Sequence, residues 1–213
     1  MAATQRPAGK PRRPRPYHHG NLRRALLDEA LTTIRNEGVE GLTLREIGAR
    51  VGVSRTALYR HFADKEALLT AVATEGFRVL RQELVRAWDE GGRDDAAFRG
   101  MGVAYVRFAV ANPSHYRVMF GASIDPEAGD VALAEEAKGA FQALVDALIA
   151  LQHAKVMRGE NTLLMARHVW ALVHGMAMLG IDGRLREPGA IDELLHYALE
   201  RLHSGIARPS KAT

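Results

Sequence analysis

Three helix-start signals in quick succession, Thr43, Ser54 and Asp64, with a helix-ending glycine, Gly52, just before the second, constrain this chain more than any other feature it has. Thr43-Leu-Arg-Glu46 has the form of a capping box, in which hydroxyl and carboxylate satisfy each other's backbone amides, and predicts a short helix from Leu44 to Val51. Gly52 is placed to take the left-handed conformation that ends a helix, Val53 plugs the turn, and Ser54 caps a second short helix through about His61. Asp64 then caps a long helix that reaches Asp89 or Glu90 before Gly91-Gly92 breaks it. Two short helices joined by a glycine turn need small and apolar residues where they cross, which Ile47, Ala49, Val51, Val53 and Leu58 supply. Burying those leaves Arg55, Thr56, Ala57, Arg60 and His61 on the outside of the second helix, an element of the size that enters a DNA major groove.

The rest of the chain keeps the helical period. Leu22, Leu26, Ala30 and Ile34 recur at helical spacing over Asn21 to Glu37, and Gly38 follows as a carboxy-terminal cap. Further helices are expected over about Ala96 to Ala111, Ser114 to Phe120, Val131 to Met157, Glu160 to Gly180 and Ala190 to Ser204. No run alternates with period two long enough for a strand, so the chain reads as all-α with about nine helices. The most apolar stretch, Thr162 to Ile181, is interrupted by Arg167, His168 and His174, which is costly in a bilayer and reads as a buried helix, not a membrane span.

Charge is divided unevenly. The net charge is +4, yet residues 1 to 70 carry +6 and the remainder −2, so one end is suited to a polyanion. Residues 1 to 16 hold five basic and four proline residues without an acid and are expected to be an extended tail. That tail either follows the minor groove or neighbouring phosphates, or is a solvated extension; the sequence leaves both readings open. The chain has no cysteine, which excludes disulfides, thiolate-ligated zinc and thiol catalysis and suits a reducing cytoplasm. His18-His19 lacks a third ligand nearby and reads as surface histidines. Nucleophile elbow, phosphate-binding loop, dinucleotide fingerprint and His-Glu-x-x-His pair are all missing, so neither enzyme activity, nor a cofactor, nor a metal is expected.

The run from Tyr17 to Leu69, including LTLREIGARVGVSRTALYRHFADKEALL, resembles the DNA-binding domain of TetR-family regulators. The resemblance implies a helix-turn-helix, joined by a long helix to a carboxy-terminal helical ligand-binding and dimerisation domain. It implies domains at 17–65 and 66–208, with Arg55, Thr56 and Ala57 near base edges and Thr43, Ser54, Tyr59, Arg60, His61 and Lys65 on phosphates. Tyr59 and His61 have a second reading, as packing residues against the flanking helices.

Two later stretches, FAVANPSHYRVMFG and VWALVHGMAMLG, resemble a subgroup with a Trp-x-x-x-His-Gly carboxy-terminal domain. Trp170 and His174 are four apart and share a helical face, and Tyr105, Phe108, Tyr116, Met119, Phe120 and Phe141 are candidates to line an effector cavity beside them or to be plain core. One short recognition helix covers few base pairs, so a two-fold dimer on a palindromic operator is expected. The resemblance places its interface on the last two helices, where Ala166, Ala171, Gly175 and Ala177 permit close approach and His196 and His203 lie at the interface or in solvent. The resulting expectation is a cytoplasmic repressor, nucleoid-associated when bound, released from duplex DNA by a small apolar or amphipathic effector. The competing class is a structural DNA binder without sequence preference.

Overall fold

Leu26, Leu27, Ala30 and Ile34 lie on one side of a helix, and burying that side against its neighbours begins the fold. The computed structural model describes residues 22–127, 129–185, 187 and 189–207; the basic tail, His18-His19 and residue 208 lie outside them. Its elements in chain order are α1 (Leu22–Glu37), α2 (Leu44–Val51), α3 (Arg55–Tyr59), α4 (Lys65–Glu90), α5 (Asp95–Ala111), α6 (Pro113–Met119), α7 (Val131–His153), α8 (Thr162–Ile181) and α9 (Ala190–Ile206). Among the described residues there is no strand, only an isolated bridge between Met157 and Ala207.

Six of these helices open on one device. Thr43, Ser54, Asp64, Asp94, Asp130 and Asn161 each accept a hydrogen bond from the amide three residues on, which satisfies a donor the helix leaves unpaired and contributes about 1 kcal/mol per cap. The capping box at Thr43 is half realised: Glu46 N–H donates to Thr43 Oγ1, but Thr43 O–H donates to Glu46 Oε2 at 2.9 Å, so the carboxylate does not reach back to the Thr43 amide.

Helix α4 is the spine. It packs on α5, α6 and α7, with α1 touching both α4 and α6. Helices α7, α8 and α9 complete the carboxy-terminal half, joined to it through α5·α8 and α5·α9 contacts. Apolar side chains from both halves form one continuous core.

Several boundaries moved from their sequence expectations: α8 starts at Thr162, not Glu160, and α9 runs past Ser204 to Ile206. Helix α7 stops at His153, not Met157, because Lys155 takes φ 59° and Val156 N–H turns back to Leu151 O. No glycine announces that left-handed residue. Helix α3 ends at Tyr59, two residues short of His61. Nor is α8 buried all round: Met165, Ala166, Val169, Val173, Met176 and Ala177 face the core, while Leu164, His168, Ala171, Gly175 and Leu179 form an exposed stripe. One face of this long apolar helix is therefore unpartnered within the subunit.

Candidate DNA-binding surface and ligand cavity

The turn between α2 and α3 is built by Gly52, whose φ of 79° lets Gly52 N–H reach Ala49 O at 3.1 Å and Val53 N–H reach Gly48 O at 3.0 Å. A side chain at that φ would be strained. The crossing contact is made by Gly48, where an added Cβ would lie 3.1 Å from Leu58 Cδ2. Ala49, expected at the crossing, is exposed instead, since Gly48 already lets the two helices meet. Leu58 is the one buried residue of α3 and pins it to the domain.

Pinning α3 by Leu58 turns the rest of it outward. Arg55, Thr56, Tyr59, Arg60 and His61 are exposed and Ala57 is half-buried. Tyr59 is 44% exposed and lies under the Arg55 guanidinium, 5.6 Å from ring centroid to Cζ, so it is a surface residue and not a packing residue. A guanidinium and hydroxyls, donors suited to guanine edges and phosphates, are thereby presented together with a methyl group suited to apolar contact with a thymine methyl.

Three assigned phosphate ligands have prior engagements. Thr43 spends its proton on Glu46, so in this conformation it is a cap with no donor to offer. Ser54 Oγ accepts from Ala57 N–H and keeps its own proton for a phosphate. Lys65 Nζ donates to Val39 O at 2.7 Å and Glu40 O at 3.4 Å, tying α4 to the α1–α2 connection and leaving one N–H. The amino end of α4, otherwise suited to an anion, is closed by the Asp64 carboxylate.

The carboxy-terminal half encloses a cavity of about 480 Å³ between α4, α5, α6, α7, α8 and α9. Five of the eight expected residues line it: Tyr105, Met119, Phe120, Phe141 and Trp170. Phe108, Tyr116 and His174 do not. Phe108 and Tyr116 are buried in the core behind the wall, Tyr116 wholly so, and His174 turns its ring to Tyr116. Helix α4 adds Phe77, Leu80 and Leu84, which periodicity alone could not separate from ordinary core. The basic residues Arg99, Arg167 and His203 also line it. His203 was expected at the interface or in solvent; instead it faces the cavity with Nδ1 2.9 Å from Asp95 Oδ1.

Behind the wall runs a directed hydrogen-bond chain. Trp170 Nε1–H donates to Tyr105 Oη at 3.1 Å, Tyr105 and Tyr116 hydroxyls meet at 2.9 Å, and Tyr116 Oη lies 2.7 Å from His174 Nδ1. Desolvation lowers the His174 pKa, so the ring is neutral at pH 7. With the Nε2–H tautomer its Nδ1 accepts from Tyr116, and Tyr116 then accepts from Tyr105. Burial pushes the Tyr105 hydroxyl up to about 12 and raises Tyr116 further, so both stay protonated. Phe120 packs on Tyr116, Trp170 and His174 with ring centroids 4.6, 6.3 and 4.9 Å apart. The Trp-x-x-x-His-Gly motif is thus a brace holding α5, α6 and α8 together, with Gly175 on the exposed stripe.

Helix α6 belongs to both halves. Met119 and, just beyond its end, Phe120 meet the cavity. At its start Ser114 Oγ donates to Leu31 O of α1 at 3.0 Å. His115 Nε2 is 3.7 Å from Glu75 of α4, which also holds Arg24 of α1 at 2.6 Å.

Residues 26–72 match the domain family described as bacterial regulatory proteins of the tetR family, and residues 98–202 match the tetracyclin repressor-like C-terminal domain. The chain belongs to the TetR family. A solved structure of a Rhodococcus protein of unknown function superimposes with TM-score 0.79 at 33% identity, covering 92% of this chain and all of that one. An uncharacterised HTH-type transcriptional regulator of Mycobacterium tuberculosis is 27% identical over 87% of this chain and 82% of its own length. The class C tetracycline repressor protein of Escherichia coli is 47% identical over 51 residues, 24% of this chain and 23% of that protein. This TetR-family chain is a DNA-binding transcriptional regulator built on an all-helical fold.

Proposed function

We propose that this regulator is a one-component, cytoplasmic repressor that leaves a palindromic operator when a small apolar or amphipathic effector fills the cavity. The work divides between a reading unit, residues 17–65, and a sensing and pairing unit, residues 66–208. The observation that carries the proposal is α6: seven residues whose start is bonded to α1 and whose end meets the cavity. An occupant that shifts Met119 and Phe120 moves the contacts on which α1 rests, and with α1 the angle of α3. A ligand regulates only by binding the two states unequally, and a wall element shared with the reading unit supplies that difference.

Arg55, Thr56 and Ala57 read bases, and Ser54, Tyr59, Arg60, His61 and the remaining N–H of Lys65 hold phosphates. Homodimerisation joins α8 and α9 of two subunits. The exposed stripe on α8, with small Ala171 and Gly175 flanked by Leu164 and Leu179, supports this, as does Tyr197 at 59% exposure on α9. Ala166 and Ala177 are fully buried within the subunit and serve its own core instead. His196 is exposed beside Glu200.

The test is a gel-shift titration on the DNA upstream of the regulator's own gene, with excess random duplex as competitor and a library of small apolar and amphipathic molecules added to the complex. The expected result is a competitor-resistant complex that one class of molecule dissolves. Equal affinity for random duplex would make the chain a structural DNA binder instead.

A further inference from the structure

The cavity is polarised along its length. Tyr105 of α5 faces Trp170 of α8, and further on a Cβ at Gly180 would sit 3.1 Å from Val110 Cγ2, so α5 and α8 run the same way. Helix α9 runs against both: a Cβ at Gly102 would meet Leu199 at 2.7 Å, and His203 reaches Asp95. The early turns of α5 and α8 and the last turn of α9 therefore share one end of the cavity, and on them stand Arg99, Arg167 and His203. Among the described residues no Asp or Glu lines the cavity. The opposite end, closed by Met119, Phe120 and Val173, is apolar.

The three basic groups are not equivalent. Asp95 stands behind the wall with one oxygen 3.4 Å from Arg99, whose charge it partly neutralises, and the other 2.9 Å from His203 Nδ1. Arg167 has no hydrogen-bond or ion-pair partner among the described residues. An unpaired guanidinium at the rim of an apolar cavity is a planar donor fork that matches a carboxylate two bonds at a time. A phosphate would bring a second charge that this single cation does not match. The volume of about 480 Å³ falls within the range of about 300–1,000 Å³ typical of small-molecule sites.

We propose that the effector is an amphipathic carboxylate, its acid group paired with Arg167 at the α5–α8–α9 end and its hydrocarbon directed at Met119 and Phe120 of the α6 wall. This rests on the cavity being the effector site, and it adds charge and orientation. The acid anchors the molecule while the apolar end presses on the helix bonded to α1, so effect and affinity come from opposite ends of the ligand.

The experiment uses the full chain and three probes of equal length, decanoate, decanol and decylammonium, titrated against wild type and Arg167→Gln with calorimetry and Trp fluorescence. Decanoate is expected to bind about tenfold more tightly than decanol, the minimum a charge-assisted hydrogen bond supplies, with decylammonium weakest. In Arg167→Gln decanoate falls to the affinity of decanol, decanol is unchanged, and circular dichroism matches wild type, since Arg167 is exposed. Equal affinity of decanoate and decanol for wild type, or a preference that survives in the variant, overturns the assignment of the acid while leaving a neutral effector in the cavity. Failure of all three probes to bind removes the effector site itself and this inference with it.

Discussion

Replacing Tyr116 by Phe removes the central hydroxyl of the chain that runs from Trp170 to His174, without altering the ring that packs on Phe120. Two bonds are lost. Tyr105 is 6% exposed, so its hydroxyl is left buried without an acceptor, a cost of about 1–3 kcal/mol. His174 is half-buried, and water can replace part of its bond, a loss of about 0.5–1.5 kcal/mol. The expected destabilisation is about 3 kcal/mol, or roughly 6–12 °C in Tm at this chain length. Urea unfolding followed by circular dichroism, with Tyr105→Phe and the double variant measured beside it, reads the cost directly. The double variant should cost less than the sum of the two, because it removes the Tyr105 hydroxyl that Tyr116→Phe strands and loses the bond between the two hydroxyls once, not twice. A loss under about 0.5 kcal/mol for Tyr116→Phe, or strict additivity, would refute the claim that these groups act as a connected chain.

Leu58→Ala should cost about 2–5 kcal/mol because that side chain is 1% exposed and is the one buried residue of α3; operator affinity in a gel shift should fall, and an unchanged affinity would show that α3 is held elsewhere. Desolvation lowers the pKa of both His174 and His115 below 6.5, so the unfolded chain binds protons first as pH drops. Stability should therefore be flat above pH 6.5 and decline below it, as urea midpoints between pH 7.5 and 5 will record; a rise on acidification would contradict the neutral His174 on which the hydrogen-bond chain depends. Gly175→Arg, which puts a charge on the exposed stripe of α8 where an added Cβ meets nothing within 4 Å, should leave the fold intact and give a monomer in light scattering, whereas an unchanged dimer would move the interface off α8. Arg55→Ala should relax operator preference by about 1–3 kcal/mol at one base pair while thermal melting stays as in wild type.

The helix-turn-helix was legible because its constraints are local. Thr43, Ser54 and Asp64 cap the nearest amides and Gly52 closes the nearest turn, so the motif carries its own geometry. The cavity was legible in part, because Tyr105, Met119, Phe120, Phe141 and Trp170 are large apolar residues close to one another in sequence or motif. What failed was depth. Tyr116 and His174 share helix faces with cavity residues, yet their polar atoms are consumed by each other, and pairings between residues 58 apart leave no periodic trace. His203 and Arg167 were missed as cavity residues for the same reason, since only the packing of α9 and α8 on α5 brings them to one end. Lys65 and Thr43 show the converse limit: the motif names them, but their bonds to Val39 and Glu46 are set by the fold.

Operator recognition depends on α3 reading DNA as one of a two-fold pair, and the sharpest check is selection of bound duplexes from a random library by the full chain. The expected result is an inverted repeat with half-sites about 10 base pairs apart, or a multiple of that, centre to centre, lost when Arg55 is replaced by Ala. Recovery of unrelated duplexes, or of a single half-site without its mate, would contradict it.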